Sequence, residues 1–450
     1  MAASSLEPPL PPRPAEQRCD VLVVGGGPAG AAAAYWLASA GADVVLVERK
    51  RYPRDKTCGD GLTPRSVRQL EDMGLAPELA RHHRYDGLRA HGFGRVLELR
   101  WPPHPSLPSR GYVVRRADLD ALVAARAEKA GAQVWQGMEA VAPLCADAAG
   151  VASGGPVPRD GTAADPRAPA GTRAGGALVL DRARNRTSTV RARYVLVADG
   201  ANSRVGRALG THRRRDWPQG MAIRGYFLSP RHDEPFIESH LDVRERDGAV
   251  VPGYGWVFPL GDGRVNVGVG LLSTFDRWRS VNTTQLYEAF VRAAPASWCL
   301  SPSRSLGPPS GGRLPMGLAV GPRSGVDWLA AGDAAGAINP FNGEGIAYAY
   351  ETGRLAAEVL LGALDGRGEL GEYEEGLQGA YGLYYRVGRG FVTLLGRPRL
   401  LRALVGTGMQ SRSLMEWVLR IMANLLRPDE LGPAELAWRA VVALSRSVQG

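Results

Sequence analysis

Three features of the sequence predict an α/β fold in which a parallel, doubly wound sheet carries an inserted antiparallel sheet and ends in a helical region. The first is a strand, glycine turn, helix and strand at residues 20–49, DVLVVGGGPAGAAAAYWLASAGADVVLVER. The second is a series of strands from Gln219 to Leu271, punctuated by proline and glycine as antiparallel sheets are. The third is the helical pattern beyond Gly371, which carries no motif.

Asp20–Val24 is apolar throughout, as a strand buried on both faces must be. Gly25, Gly27 and Gly30 then fill the GxGxxG positions. Gly25 allows the tight turn, Gly27 admits a pyrophosphate to the backbone, and Gly30 lets the next helix pack on the strand. That helix, Ala31–Ala40, points its N-terminus at the phosphates and ends at Gly41. A second strand, Asp43–Val47, delivers Glu48, eighteen positions beyond Gly30, where an acid accepts from a ribose diol. A lone GxGxxG is weak in a chain with 58 glycines; the whole unit is a dinucleotide-binding signature.

Composition narrows the function classes. The 450 residues are 44% hydrophobic and 22% charged, with a net charge of +10. Three of the 55 basic residues are lysine, and no basic patch interleaved with aromatics occurs, so nucleic acid is not an expected partner. Cys19, Cys58, Cys145 and Cys299 are scattered, which suggests no metal site, no disulfide framework and a reducing cytoplasm. Residues 1–18 are proline-rich and expected to be a disordered tail, and no apolar run is long enough to span a bilayer.

After Glu48 come a basic loop, Arg49–Lys56, the glycine-flanked turn Cys58-Gly59-Asp60-Gly61, and a helix over Pro64–Met73. Arg89–Trp101 alternates as one half-exposed strand, and Tyr112–Arg115 is extended. A helix opens at Arg116 with Asp118 as its cap, and strands follow at Gln133–Leu144 and Ala177–Leu180. Residues 146–176, rich in Ala, Gly, Pro and Asp, are expected to be a flexible insertion. Tyr194–Ala198 is a buried strand ending in Asp199-Gly200, and Trp328–Ala331 is another, ending in Gly332-Asp333. Both strand ends converge on the crevice of Gly25–Gly30. The expected division is 19–85 with 111–212 and 325–365 for the dinucleotide domain, 86–110 with 213–324 for the substrate sheet, and 366–450 for the helices.

With GDAAG at 332–336, INPFNGEGI at 338–346 and YGWVFP at 254–259 before Gly268-Val269-Gly270, the chain resembles the geranylgeranyl reductase family of FAD-dependent oxidoreductases. The resemblance covers about residues 19–365. It implies a Rossmann-like FAD-binding domain in which Gly25, Gly27, Ala29 and Gly30 hold the pyrophosphate and Glu48 the ribose. Arg49, Arg116, Asp199, Gly332 and Asp333 would line the cofactor, with Ala140 against the adenine. Gly343, Gly345 and Ile346 would offer N–H groups to the flavin, and Cys58, Gly59 and Gly61 would lie beside its ring. Tyr254, Trp256 and Phe258 project from one strand face and would wall an apolar slot, with Gly268 and Gly270 beneath.

The implied activity is saturation of C=C bonds in a polyprenyl chain, a geranylgeranyl group or the isoprenoid tail of a quinone such as menaquinone. The proton would come from Cys58, Tyr254 or an ordered water. NADPH, ferredoxin or a quinol would supply electrons. Two other readings stay open: a flavin monooxygenase or halogenase, and a non-enzymatic prenyl-binding escort protein. Tyr254 and Phe258 depart from the W-x-W-x-I-P of halogenases, while Glu48, Asp333 and INPFNGEGI argue against an escort. Residues 386–420 carry seven arginines and one acid among apolar residues, as an interfacial helix does. The expected location is therefore cytoplasmic, at the surface of the cytoplasmic membrane.

Overall fold

The computed structural model describes residues 13–145, 172–427 and 432–447. Most of the proline-rich tail and residues 146–171 of the insertion lie outside them.

The chain opens with β1 (Glu16–Val24), α1 (Pro28–Ser39) and β2 (Val44–Glu48). β1 begins inside the segment expected as tail, because Glu16–Cys19 pair with residues 189–192. β3 (Gly61–Leu62), α2 (Pro64–Asp72), α3 (Ala76–Leu79) and β4 (His83–Tyr85) follow. Arg89–Trp101 is not one strand but a hairpin, β5 (Gly87–Gly92) and β6 (Arg95–Arg100). Phe93 and Gly94 both take positive φ, the geometry of a two-residue hairpin turn, and the alternation simply runs through it. β7 (Gly111–Val113) leads to α4 (Arg116–Lys129). Asp118 does not cap this helix: its carboxylate is taken by the Arg115 guanidinium at 2.9 Å. The expected strand 133–144 is broken at Gly137 (φ 74°) into β8 (Gln133–Gln136) and β9 (Met138–Pro143).

β10 (Gly176–Asp181) and the long β11 (Arg186–Val197) bring to six the strands of a seven-stranded sheet. β8, β2, β1 and β11 run parallel in that order, β10 pairs antiparallel with β11, and β9 pairs antiparallel with β10. Then come α5 (Arg204–Ala208), β12 (His212–Arg213), β13 (Gln219–Leu228), β14 (Phe236–His240), β15 (Gly253–Pro259) and β16 (Arg264–Leu272). α6 (Thr283–Ala293), β17 (Ser310–Pro315), β18 (Val320–Gly321) and β19 (Trp328–Ala330) follow, with β19 parallel to β11. The second sheet has the order β17-β13-β16-β15-β14-β5-β6. It is not wholly antiparallel, since β14 runs parallel to β5, which arrives from the earlier hairpin.

α7 (Ile346–Leu364) packs on α1, and α8 (Gly371–Leu377), α9 (Leu383–Leu395), α10 (Pro398–Gly408), α11 (Arg412–Met422) and α12 (Pro433–Ser447) close the chain. Gly353 makes the α1–α7 contact possible: a Cβ there would stand 2.3 Å from the Ala29 carbonyl oxygen. The terminal helices join both halves. Tyr384 of α9 enters the core of α1 and α7, while Met415 and Leu419 of α11 pack with Tyr85, Leu99 and Trp101.

Candidate active site

The glycine turn is built as its spacing requires. Gly25 has φ 99°, and a Cβ there would lie 2.5 Å from the Ala198 carbonyl oxygen. A Cβ on Gly30 would lie 1.9 Å from the Gly25 carbonyl oxygen. Over Gly27, by contrast, a Cβ would meet only Arg54 Nη2, at 4.0 Å. α1 starts at Gly27 with no side chain capping it, and α7 starts at Gly345 likewise. An open glycine turn and two uncapped helix N-termini fit an anionic dinucleotide. Gly332, at the end of β19, abuts Ala29: a Cβ there would stand 2.9 Å from that of Ala29. Asp333 lies close to Gly345, its Oδ1 3.7 Å from where a Cβ on that glycine would sit. The glycine turn thus meets the strand end at Ala198-Asp199 and Gly332, and Asp333 meets the start of α7.

Glu48 is buried and turned to the turn itself, accepting from the Gly26 N–H and the Lys50 N–H at 3.0 Å each. Arg54, which the spacing did not single out, lies 3.1 Å from Glu48 and 3.0 Å from Asp120. Arg116 holds Asp120 through two 2.8 Å bonds, so Glu48, Arg54, Asp120 and Arg116 form one charged chain beside the turn. Arg49 is exposed at the strand end. Asp199 accepts from the Arg204 N–H at 3.0 Å at the start of α5. Ala140 packs in the core with Val24 and Val47.

The 58–61 turn and the aromatic strand are pressed together. Tyr254, Trp256 and Phe258 share one face of β15, with ring centroids 5.9 and 6.2 Å apart. Cβ atoms on Gly59 and Gly61 would lie 3.1 and 3.0 Å from the Phe258 ring. Gly268 faces Trp256 across the strands, and a Cβ there would stand 2.2 Å from the indole. Asn266 links the parts: it accepts the Trp256 indole N–H (2.9 Å) and donates to the Cys58 carbonyl (2.9 Å) and the Asp60 carboxylate (2.8 Å). Asp60 also accepts from the Tyr226 hydroxyl (2.5 Å) and the Arg116 N–H (3.2 Å). Burial pushes its carboxyl up to about 6, against these donors.

Tyr254, on the same face, donates to the Asn342 carbonyl at 2.7 Å. Its hydroxyl lies 3.6 Å from where a Cβ on Gly343 would sit. Burial raises the Tyr254 phenol, and Cys58 and Glu344 add to the shift. Burial also raises the Cys58 thiol, with the Arg116 guanidinium opposing. Glu344 was not among the expected residues. Burial pushes its carboxyl up to about 7, although Thr63 and Ser66 hydroxyls donate to its Oε1 and Arg65 opposes the shift. Its Oε2 is buried without a partner among the described residues. An acid between two glycines in N-G-E-G-I was the available signal.

Among the described residues, one cluster has metal-ligand spacing: His91, Glu238 and His240, on the opposite sheet face. Both imidazole Nε2 atoms lie within 3.3 Å of Glu238 Oε2. Glu238 also takes Arg89 (3.0 Å) and the Trp298 indole (2.8 Å), and the two rings stack 9° from parallel. A cation would have to lie in the plane of both rings, which this stacking prevents.

Residues 18–169 match the family model described as FAD binding domain. The chain is 41% identical to the menaquinone reductase of Mycobacterium tuberculosis, covering 96% of this chain and 98% of that one. It is 30% identical to digeranylgeranylglycerophospholipid reductase 1 of Methanopyrus kandleri, covering 77% and 81%. Among solved structures, a geranylgeranyl bacteriochlorophyll reductase-like protein from Thermoplasma acidophilum superposes with TM-score 0.71 at 21% identity, covering 95% of this chain and 100% of that one. A flavin-dependent brominase superposes with TM-score 0.68 at 17% identity, over 96% and 100%. At these identities the two structures speak for the fold.

Proposed function

The chain belongs to the geranylgeranyl reductase family of FAD-dependent oxidoreductases, and we propose that it saturates C=C bonds in the isoprenoid tail of menaquinone. The observation that carries this reading is the 41% identity to a menaquinone reductase across nearly the whole of both chains. A geranylgeranyl group is the related substrate that the more distant relatives' names suggest.

FAD would lie along Gly25–Gly30, with Gly332 and Asp333 beside it and the start of α7 at its ring. When bound and reduced, it supplies a hydride. The chain's own part is to hold an unactivated alkene still, exclude water and supply a proton. Cross-strand register sets Gly312, Ala222, Gly270 and Tyr254 in one line on the face that bears Trp256. A Cβ on Gly270 or Gly312 would meet nothing closer than 3.8 Å. This row of small residues makes a trough of about 14 Å across three strand spacings, ending at the Tyr254 ring. Leu314 and Met316 border it near Gly343. Trp256 and Phe258 press on the 58–61 turn, so their part is to shape the trough's end.

The lipid must reach this trough from a bilayer, and we place the contact on α9 and α10. No helix among the described residues is long and apolar enough to cross a membrane. Leu394, Leu400 and Leu404 are exposed hydrophobics, with Arg397, Arg399 and Arg402 exposed around them. Leu401, Met415 and Leu419, from the same basic stretch, are buried in the protein. The docking face is therefore narrower than residues 386–420.

The test is anaerobic mixing of dithionite-reduced holoenzyme with menaquinone, followed by mass spectrometry. A product with two more hydrogens per saturated bond is expected. An oxygenated product formed in air, with no saturation, would point to the monooxygenase reading instead.

A further inference from the structure

We propose that Glu344 is the acid that supplies the proton for saturation, carried on Oε2 and delivered into the space beside Tyr254. This assignment rests on the polyprenyl reductase reading above. Saturation of one C=C bond adds a hydride and a proton. The electron pair arrives with the hydride from the reduced cofactor, so the alkene is reduced as the cofactor is oxidised. The π bond, the Glu344 O–H bond and the bond that held the hydride on the reduced cofactor would break, two C–H bonds would form, and the carboxylate would regain a proton from solvent.

Cys58 and Glu344 lie near enough to Tyr254 to raise its phenol, and Asp60 sits in the turn pressed on Phe258; of these four acidic groups three are poorly suited. Asp60 has donors on both oxygens, so its surroundings hold an acceptor and offer its own proton nowhere to go. Tyr254 already donates its hydroxyl proton to the Asn342 carbonyl. Cys58 is buried, and burial makes a thiol harder to ionise. Glu344 differs in geometry. Two hydroxyls donate to Oε1, which leaves Oε2 as the oxygen that bears a proton, and Oε2 is enclosed with no partner among the described residues. The residue sits one position before Gly345, where α7 begins, so the uncapped helix start favours the carboxylate left after transfer. With its carboxyl at about 7, the group both holds and releases a proton near neutrality, as a general acid must.

A purely structural role would be to tie α7 to α2 through Thr63. Glu344→Gln separates the two, because the amide carbonyl still accepts from Thr63 and Ser66 while the acidic proton is gone. In the reduced holoenzyme, formation of the saturated product from menaquinone, read by mass spectrometry in a single turnover, should be about 100-fold slower or more in Glu344→Gln. FAD content and dithionite reduction should be unchanged. The wild-type rate should fall as pH rises through 7, and the variant's rate should not. A readout independent of turnover is the infrared carbonyl band of a protonated carboxyl, which should disappear across pH 7 in wild type and be missing in the variant. Saturated product formed by Glu344→Gln at the wild-type rate, or an unchanged titrating band, would overturn the assignment. If wild-type enzyme forms no saturated product from menaquinone, the substrate reading fails, and the infrared titration still decides whether Glu344 holds the proton.

Discussion

Asn266 Nδ2 stands 2.8 Å from the Asp60 carboxylate, and the same side-chain amide accepts the Trp256 indole N–H. One residue on β16 therefore fixes the 58–61 turn against the aromatic strand. Asn266→Leu keeps the volume and strands three polar groups: the indole N–H, the Cys58 carbonyl and the Asp60 carboxylate. Each such loss costs about 1–3 kcal/mol. With Asp60 keeping two other donors, we expect a total of about 3 kcal/mol in urea denaturation. A change below about 0.5 kcal/mol, the range of ordinary surface substitutions, would show that the link is not structural.

The glycine turn separates folding from cofactor binding. A side chain at Gly30 collides with the Gly25 carbonyl, so Gly30→Ala should yield little folded protein. Gly27 has open space above it, so Gly27→Val should fold with a wild-type far-ultraviolet spectrum and purify colourless. Full flavin occupancy in Gly27→Val would remove the phosphate-cradle assignment.

Along β15, Tyr254 and Trp256 should behave differently. Tyr254→Phe loses the 2.7 Å bond to Asn342 and should alter turnover, with FAD retained. Trp256→Ala empties a site that is 5% exposed and should cost about 3–5 kcal/mol, as large core truncations do. If Trp256→Ala instead leaves the melting temperature unchanged and abolishes lipid turnover alone, the indole lines the trough directly.

Much of this was legible from local pattern. The turn at Gly25–Gly30 depends on residues adjacent in sequence, and so do the alternating faces of β15. Contacts between distant segments were not legible. Asn266 meets Cys58 and Asp60 across 200 positions, and nothing in its neighbourhood marks it. Arg54 stood out only as one cation in a basic loop, although its partner Asp120 lies 66 residues on. The breaks at Phe93-Gly94 and Gly137 were missed because apolar alternation continues through a tight turn. Glu344 was passed over because its chemistry comes from burial, which a sequence does not display.

Glu238 predicts an acid-side stability loss. Its carboxyl is held well below the usual range, where His240, His91 and the Trp298 indole bonding to the anion outweigh burial. The folded state thus keeps the anion at pH values where an unfolded chain takes up a proton near 4.5. The stabilisation is present above that value and is lost as pH falls toward the folded pKa. Glu238→Gln should cost about 1–3 kcal/mol at neutral pH, since it weakens the bonds from Arg89 and the Trp298 indole to a charged acceptor, although Arg89 keeps Glu98 and Glu234. The difference from wild type should shrink on acidification. Equal losses at neutral and acidic pH would mean that the cost is steric.

The docking face can be tested without dismantling the fold. Removing everything after Arg386 would strip Tyr384's neighbours and the Met415 and Leu419 packing, so a truncation would confound binding with unfolding. Leu400 and Leu404 are 37% and 51% exposed on one side of α10, while Leu401 beside them is 3% exposed. Replacing the exposed pair with aspartate therefore leaves the packed face intact. It removes two apolar contacts with the acyl boundary and puts two negative charges against an anionic leaflet, where each nearby cation is worth about 1 kcal/mol. The double variant should keep its flavin and its melting temperature, turn over a detergent-solubilised substrate normally, and no longer float with anionic liposomes. Flotation equal to wild type would move the membrane contact elsewhere on the protein, and flotation independent of lipid charge would remove the arginines from the account.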